Sequence, residues 1–378
     1  MFDEPAIAHL YAHVPFCAKK CNYCAFYSEA GDGEVVNRYV EALIREMKMV
    51  AGELKPQTVF FGGGTPSLLN LRQWERILNA MSRLDLLGAA EWTVECNPAT
   101  VSADKAKLLR DWGVNRISMG AQSFDESLLD RLGRVHSREM IFKSFDILRR
   151  AGFDNVNVDL MFAIPGQTLE TWRQTLADAL ALGTEHLACY EVIYEEDTPL
   201  YEQLQAGKIH VDEDLACSMY EELLSAAAAA GLAQYEIANF ARPGAACRHN
   251  INYWRGGSFH GLGPSATGYV RGVRSRNCAN TTLYCEQLER GQRAIEWSEQ
   301  LAPLARAGEI AAFGLRMTAG WPLEQFERRT GFDLRREWKT EINRMIELGY
   351  GKMDQECFRL TGTGLRFADW AGAEFLRS

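Results

Sequence analysis

Three cysteines within eight residues carry the strongest chemistry in this sequence. In HVPFCAKKCNYCAF, Cys17, Cys21 and Cys24 stand in C-x3-C-x2-C spacing, directly after an apolar run that reads as a strand. Soft thiolates suit iron–sulfur clusters and zinc alike. One loop with gaps of three and two residues can wrap three corners of an iron–sulfur cube. The fourth iron then has no protein ligand and is open to a small molecule. The competing reading is a Cys3His zinc site with His13 as fourth ligand. Structural zinc takes four closed ligands, commonly as two short-spaced pairs. Here there is a triplet, and His13 would point out of a strand, so the cluster is favoured.

Polar and glycine residues gather after the later apolar runs. In GGGTPS (62–67), Gly63 and Gly64 allow positive φ and close backbone approach, while Thr65 and Pro66 stiffen the exit. Alone, this motif is an ordinary tight turn between strand and helix. Glu95 in VECNP, Gln122 in GAQSF, Arg134 in RLGRVH and Asp159 in NVDLMFAIPGQT each read singly as a cap or a solvated charge. A carboxylate near a ribose accepts two hydroxyl hydrogen bonds, and an arginine pairs with a carboxylate as a fork. Beside an open iron, the set meets the needs of S-adenosylmethionine (SAM): acceptors for its ribose and amino group, and a cation for its carboxylate. In radical SAM chemistry the methionine end of SAM binds that iron, and an electron from the cluster breaks the sulfonium bond.

These residues need a scaffold that brings strand ends together. Six apolar runs (9–16, 57–64, 91–98, 116–123, 155–163 and 186–193) alternate with helical stretches. One helix carries Tyr39, Leu43, Ile44, Met47 and Val50; another carries Trp74, Ile77, Leu78, Met81 and Leu84; a third runs from a Ser102 N-cap to a Gly113 stop. Alternation of this kind predicts an α/β fold with parallel strands, as an open sheet or curled into a barrel. Active sites of such folds lie at the strand ends, where the polar residues gather. Residues 1–200 are expected to form this unit, and 201–300 a less regular connecting region with a helix near 212–230. Residues 301–378 are expected to form a small helical, winged-helix-like module, with a helical pattern over 335–351 and a strand-turn-strand close.

Composition narrows the function. The 378 residues are 47% hydrophobic and 24% charged, enough for a large core. A mean hydropathy of −0.23 and the lack of a long uncharged apolar run predict no membrane span. The opening MFDEPAIAHLYAHVPF has acids and no basic stretch, which predicts no secretory signal and a reducing, cytoplasmic location. A formal net charge of −9, and acids mixed among the bases of 335–351, argue against a nucleic-acid surface. Oligomeric state is not legible.

With these motifs in order, the sequence resembles the family of oxygen-independent coproporphyrinogen III oxidase and its heme chaperone branch. The resemblance rests on HLYAHVPFCAKKCNYCAF, FFGGGTPSLL, VECNP, NRISMGAQSF, RLGRVH, NVDLMFAIPGQT and HNINYW, and covers nearly the full chain. It implies a partial (β/α)6 radical SAM barrel with a C-terminal helical module. It also implies that Cys17, Cys21 and Cys24 hold a [4Fe–4S] cluster. By the same resemblance Tyr11, Gly63, Gly64, Thr65 and Glu95 contact SAM at the cluster, with Tyr23, Gln122, Arg134 and Asp159 at further SAM positions.

Within the family, three features separate the branches. The oxidase pattern continues to a fourth cysteine, C-x3-C-x2-C-x-C, where this sequence has Phe26. The oxidase also carries an N-terminal extension that helps enclose substrate, and ten residues precede Tyr11 here. His249-Asn250-Ile251-Asn252-Tyr253-Trp254 matches the HNxxYW motif of the chaperone branch. The resemblance therefore implies a chaperone that binds heme, with His249, Tyr253 and Trp254 as candidate heme contacts, and passes it to acceptor hemoproteins. An imidazole can ligate heme iron, and Tyr and Trp offer flat apolar faces with a polar edge. The competing local reading has His249 and Asn250 capping a turn, with Tyr253 and Trp254 filling core. Cys247 is a second possible ligand, or a buried thiol. The alternative function is the oxidase reaction, SAM-dependent decarboxylation of coproporphyrinogen III to protoporphyrinogen IX.

Overall fold

The computed structural model describes residues 6–377. All six expected strands form: β1 (Ile7–Val14), β2 (Leu54–Gly63), β3 (Glu91–Cys96), β4 (Arg116–Gln122), β5 (Val156–Phe162) and β6 (His186–Glu191). They are parallel and lie side by side in chain order. Three more strands come from the expected connecting region and extend the same sheet: β7 (Ala233–Glu236), β8 (Asn239–Ala241) and β9 (His260–Leu262). Of these, β9 joins β1 in parallel, while β8 joins β6 and β7 joins β8, both antiparallel. The barrel unit thus runs past residue 200. Runs of three or four residues were too short to show the period-two pattern of a strand. Inward residues from β1 through β6 line one cavity, so the sheet curls; among the described residues β7 and β9 do not pair, so the barrel stays partial.

The helices pack outside for the reasons their patterns give. In the helix Gly33–Val50, Tyr39, Leu43, Met47 and Val50 are buried, and Asp32 caps the N-terminus. In Leu71–Arg83, Trp74, Ile77, Leu78 and Met81 are buried behind an Asn70–Gln73 capping box. Ser102 caps Ala103–Asp111 as expected, and Gly113 follows at φ 100°.

A second core belongs to the C-terminal module, built on Trp321, Phe326, Trp338, Phe358 and Phe375. Its longer helices are Pro303–Gly314, Leu323–Thr330, Lys339–Glu347 and Ala368–Phe375. A small sheet follows the order Trp321–Pro322, Cys357–Leu360, Gly351–Met353, a winged-helix topology. The helical pattern over 335–351 breaks at Trp338 (φ −119°, ψ 30°). That indole is fully buried and donates to the Phe375 carbonyl at 2.8 Å, so tertiary packing overrides the local periodicity. Among the described residues no helix is long and apolar enough to cross a membrane.

Candidate functional site

The cysteine loop leaves the end of β1 and returns to it. The Cys17 N–H donates to the Glu29 carbonyl (3.0 Å) and the Glu29 N–H to the Pro15 carbonyl (2.7 Å). Asn22 tethers the middle, donating from its backbone to Leu132 O (2.9 Å) and from its side chain to Arg131 O (2.9 Å). All three cysteines are free, partly exposed thiols on the wall of a cavity of about 1110 Å³. The Thr65 hydroxyl lies 3.6 Å from Cys17 Sγ, and Arg134 Nη1 donates to Cys21 Sγ at 3.4 Å. Burial raises the Cys24 thiol, and the nearby Cys21 and Cys17 add to it.

His13 is not placed to complete a zinc site. Its Nε2 lies 2.9 Å from the Tyr27 carbonyl and its Nδ1 3.1 Å from the Tyr11 hydroxyl. Nε2 must donate to a carbonyl, so Nδ1 accepts from Tyr11 and neither nitrogen is free for a metal. Among the described residues no three His, Cys, Asp or Glu side chains converge as ligands of a single ion do.

The glycine motif lies against this loop. Gly64 N donates to Val14 O and Thr65 N to Phe16 O, both at 2.8 Å. A Cβ on Gly64 would come within 2.8 Å of both carbonyl oxygens, which are backbone and cannot step aside. Gly63 takes φ 104° and donates to Glu95 Oε2 at 3.1 Å. Burial and the negative charge of Asp159 push the Glu95 carboxyl up to about 8. Asp159 lies mid-strand on β5, not at its end, and accepts from Asn157 Nδ2 at 2.6 Å; burial pushes it up to about 6. Gln122 ends β4 at φ 68°, beside a register shift that turns it into the cavity. Tyr11 and Tyr23 line the same wall, and burial raises both phenols. Arg134 also donates from Nη2 to Gly120 O at 2.7 Å, while its buried Nε has no partner.

The residues fit the cofactors their types imply. Three thiols, a guanidinium with unused donor capacity, a carboxyl poised near neutrality and a side-chain-free cradle converge on one space. A cluster held by these thiols would supply an electron for reductive cleavage of the SAM sulfonium. Cys17, Cys21 and Cys24 would hold the cluster, while the Gly63 N–H fixes Glu95 and Arg134 is presented as a cation beside Cys21.

HNINYW occupies the other end of the cavity, as the helix Arg248–Trp254. Glu91, the first residue of β3, accepts the backbone N–H groups of Arg248 (2.8 Å) and His249 (2.9 Å) and lies 3.5 Å from the Cys247 thiol. The His249 ring is buried, with Nδ1 2.6 Å from Thr58 Oγ1 and Nε2 2.7 Å from the Tyr253 hydroxyl. Burial first, then the charges of His9 and Arg116, lower its pKa to about 3, so the ring is neutral. Trp254 faces Phe313 of the C-terminal module (6.4 Å between rings), and Arg316 lies 5.1 Å over it. Ile310 and Phe313 line the cavity too, so that module walls one side. Cys247 is a buried thiol aimed at Glu91.

Several cavity residues escaped sequence reasoning: Phe60, Arg116, Ser118, Asn157 and Ile193. Arg116, Ser118 and Gly120 alternate along β4, and that period of two was the signal that placed them on one inward face. Phe26, Ile193 and Val135 form an apolar mouth, 69%, 65% and 45% exposed.

Residues 11–179 match the model of the radical SAM superfamily, and residues 301–367 that of the HemN C-terminal domain. The heme chaperone HemW of Lactococcus lactis subsp. lactis is 34% identical over 378 residues, covering 100% of this chain and 98% of that one. The chain belongs to the HemW family of radical SAM proteins. HemW of Bacillus subtilis, at 34% identity, covers 94% of this HemW-family chain and 95% of its own length. HemW of Escherichia coli, at 38%, covers 69% and 70%. Coproporphyrinogen III oxidase (HemN) from Escherichia coli shares the fold, with a TM-score of 0.84, 21% identity, and coverage of 98% of this chain and 90% of that one.

Proposed function

We propose that this HemW-family protein is a heme chaperone that binds heme in the cavity described above and delivers it to acceptor hemoproteins. A [4Fe–4S] cluster on Cys17, Cys21 and Cys24 and SAM along Gly63, Gly64, Thr65, Glu95, Gln122, Arg134 and Asp159 complete the reading, with Tyr11 and Tyr23 beside them. The observation that carries it is one continuous cavity of about 1110 Å³, reaching from the three cysteines to His249 and Tyr253. That is more than one small ligand generally needs, roughly 300–1,000 Å³. Its mouth is apolar, and Phe26 projects there in place of a fourth cysteine. A flat macrocycle is the cargo such a mouth favours.

His249 enters this reading with a condition. A neutral imidazole is what heme iron binds. Both of its nitrogens are hydrogen-bonded, however, so iron ligation must displace Thr58 or Tyr253.

The test is anaerobic heme titration of the cluster-loaded protein, paired with SAM, reductant and coproporphyrinogen III beside a working oxidase. Stoichiometric heme binding without porphyrin turnover is expected. Conversion to protoporphyrinogen IX would replace the chaperone reading with the oxidase.

A further inference from the structure

Arg116 is a buried charge that the functional reading leaves unused. Its side chain is on the inward face of β4, 2% exposed, and lines the cavity. Its Nη1 reaches only the Thr93 hydroxyl, at 3.5 Å, and its Nε has no partner. Among the described residues no Asp or Glu forms an ion pair with it. Burial disfavours its charge, and Glu91 and Asp159 stand near enough to favour it, yet neither bonds it directly. A buried charge without a direct partner is costly, and proteins normally pair such a group or give it a ligand.

The nearby acids are occupied. The Glu91 oxygens are held by the N–H groups of Arg248 and His249 and by the Cys247 thiol. Asp159 accepts from Asn157 and Ser118. The guanidinium therefore faces the cavity with donors to spare.

It lies deeper in the cavity than Glu95. In the sheet register Glu95 pairs with Ser118, whereas Arg116 pairs with Thr93, two residues farther from the cysteine loop. Arg134, which also lacks a carboxylate ion pair, is beside Cys21, while Arg276, a further cavity arginine without one, donates to the Ser265 hydroxyl. Arg116 stands near enough to act on His249 as well as on Glu95 and Asp159, so it lies between the HNINYW end and the SAM wall. Arg134 by the cysteines and Arg116 deeper in the cavity can each take a carboxylate, and SAM carries one.

We propose that Arg116 anchors a carboxylate of the cargo, a propionate of the tetrapyrrole, so that heme enters the cavity propionate-first. This rests on the chaperone reading above. A planar fork and a carboxylate make a charge-assisted pair that is strongest where water is excluded.

The experiment is equilibrium titration of wild type, Arg116→Gln and Arg116→Lys with heme, heme dimethyl ester and SAM, all on cluster-loaded protein. Wild type should prefer heme to the diester by roughly ten- to a hundredfold, the range of a hydrogen bond to a charged group. Arg116→Gln should lose that preference while binding the diester as wild type does, and Arg116→Lys should fall between. SAM affinity should not move. If Arg116→Gln does not fold, the diester comparison on wild type and the lysine variant still decide. Equal affinity of wild type for heme and diester would overturn the anchor, as would unchanged heme affinity in the variants. Loss of SAM binding with heme binding intact would assign the carboxylate to SAM and overturn it too. A wild type that binds neither heme nor diester would overturn the chaperone reading itself, an outcome distinct from the others.

Discussion

Glu91 on β3 holds the N-terminus of the helix that carries His249: its carboxylate accepts the His249 N–H at 2.9 Å, across 158 residues of sequence. With the Arg248 N–H at 2.8 Å, it satisfies two donors that a helix start leaves open. The motif at the far end of the cavity is therefore fastened to the barrel wall from below.

Removing that carboxylate should be felt in stability. Glu91→Ala leaves two enclosed N–H groups without acceptors and is expected to cost about 2–3 kcal/mol. Denaturant unfolding of the apo-protein reads this directly. A midpoint within error of wild type would mean that the helix is held by packing alone.

The cysteine triplet predicts iron and sulfide in near-equal amounts, about four of each per chain, after anaerobic reconstitution. Cys17→Ala should abolish the broad visible absorbance and leave less than about one iron. A colourless wild-type protein carrying one zinc would refute the cluster. Air should strip iron over minutes to hours, since an iron open to SAM is open to oxidants.

Glu95 should make SAM binding depend on pH. With its carboxyl pushed up to about 8 in the ligand-free fold, most of it is protonated at pH 7. A carboxylate partner for the SAM amino group then forms only as pH rises, so affinity should increase between pH 6.5 and 8.5. Glu95→Gln should flatten that profile. The folded-state pKa lies above the unfolded value, so its contribution to stability is complete below the ordinary carboxyl range and is lost as pH climbs toward 8. The apo-protein should accordingly melt at a lower temperature at pH 8 than at pH 6 by more than Glu95→Gln does. Identical pH profiles for variant and wild type would remove Glu95 from this role.

His249→Ala and Phe26→Asp should separate the depth of the cavity from its mouth. His249→Ala strands the Thr58 and Tyr253 hydroxyls and should lower stability by about 2–4 kcal/mol, while shifting the heme spectrum if iron reaches that ring. Phe26→Asp alters an exposed side chain and should change stability by less than about 0.5 kcal/mol. Its heme affinity should nevertheless fall about tenfold, from lost apolar contact. An unchanged heme spectrum in His249→Ala would show that the imidazole does not ligate the iron.

The sequence by itself determined the six-fold alternation, the faces of the main helices, the cysteine loop and the glycine cradle. These are short-range properties: apolar period, capping residues and ligand spacing are written within about 15 residues and survive without knowledge of the fold. It also grouped Glu95, Gln122, Arg134 and Asp159, and all four line one cavity, although only Glu95 and Gln122 stand near strand ends, Asp159 being mid-strand and Arg134 following a helix. Tertiary structure alone decided what depends on residues far apart in the chain. It extended the sheet by three short strands past residue 200 and broke the 335–351 helix so that Trp338 could enter a core. It occupied both nitrogens of His13 and of His249, so that metal ligation by either ring must first displace a hydrogen-bond partner. It also left Arg116 buried without a direct carboxylate partner, which no local pattern reveals, since pairing is a property of what surrounds a charge and not of the residue that bears it.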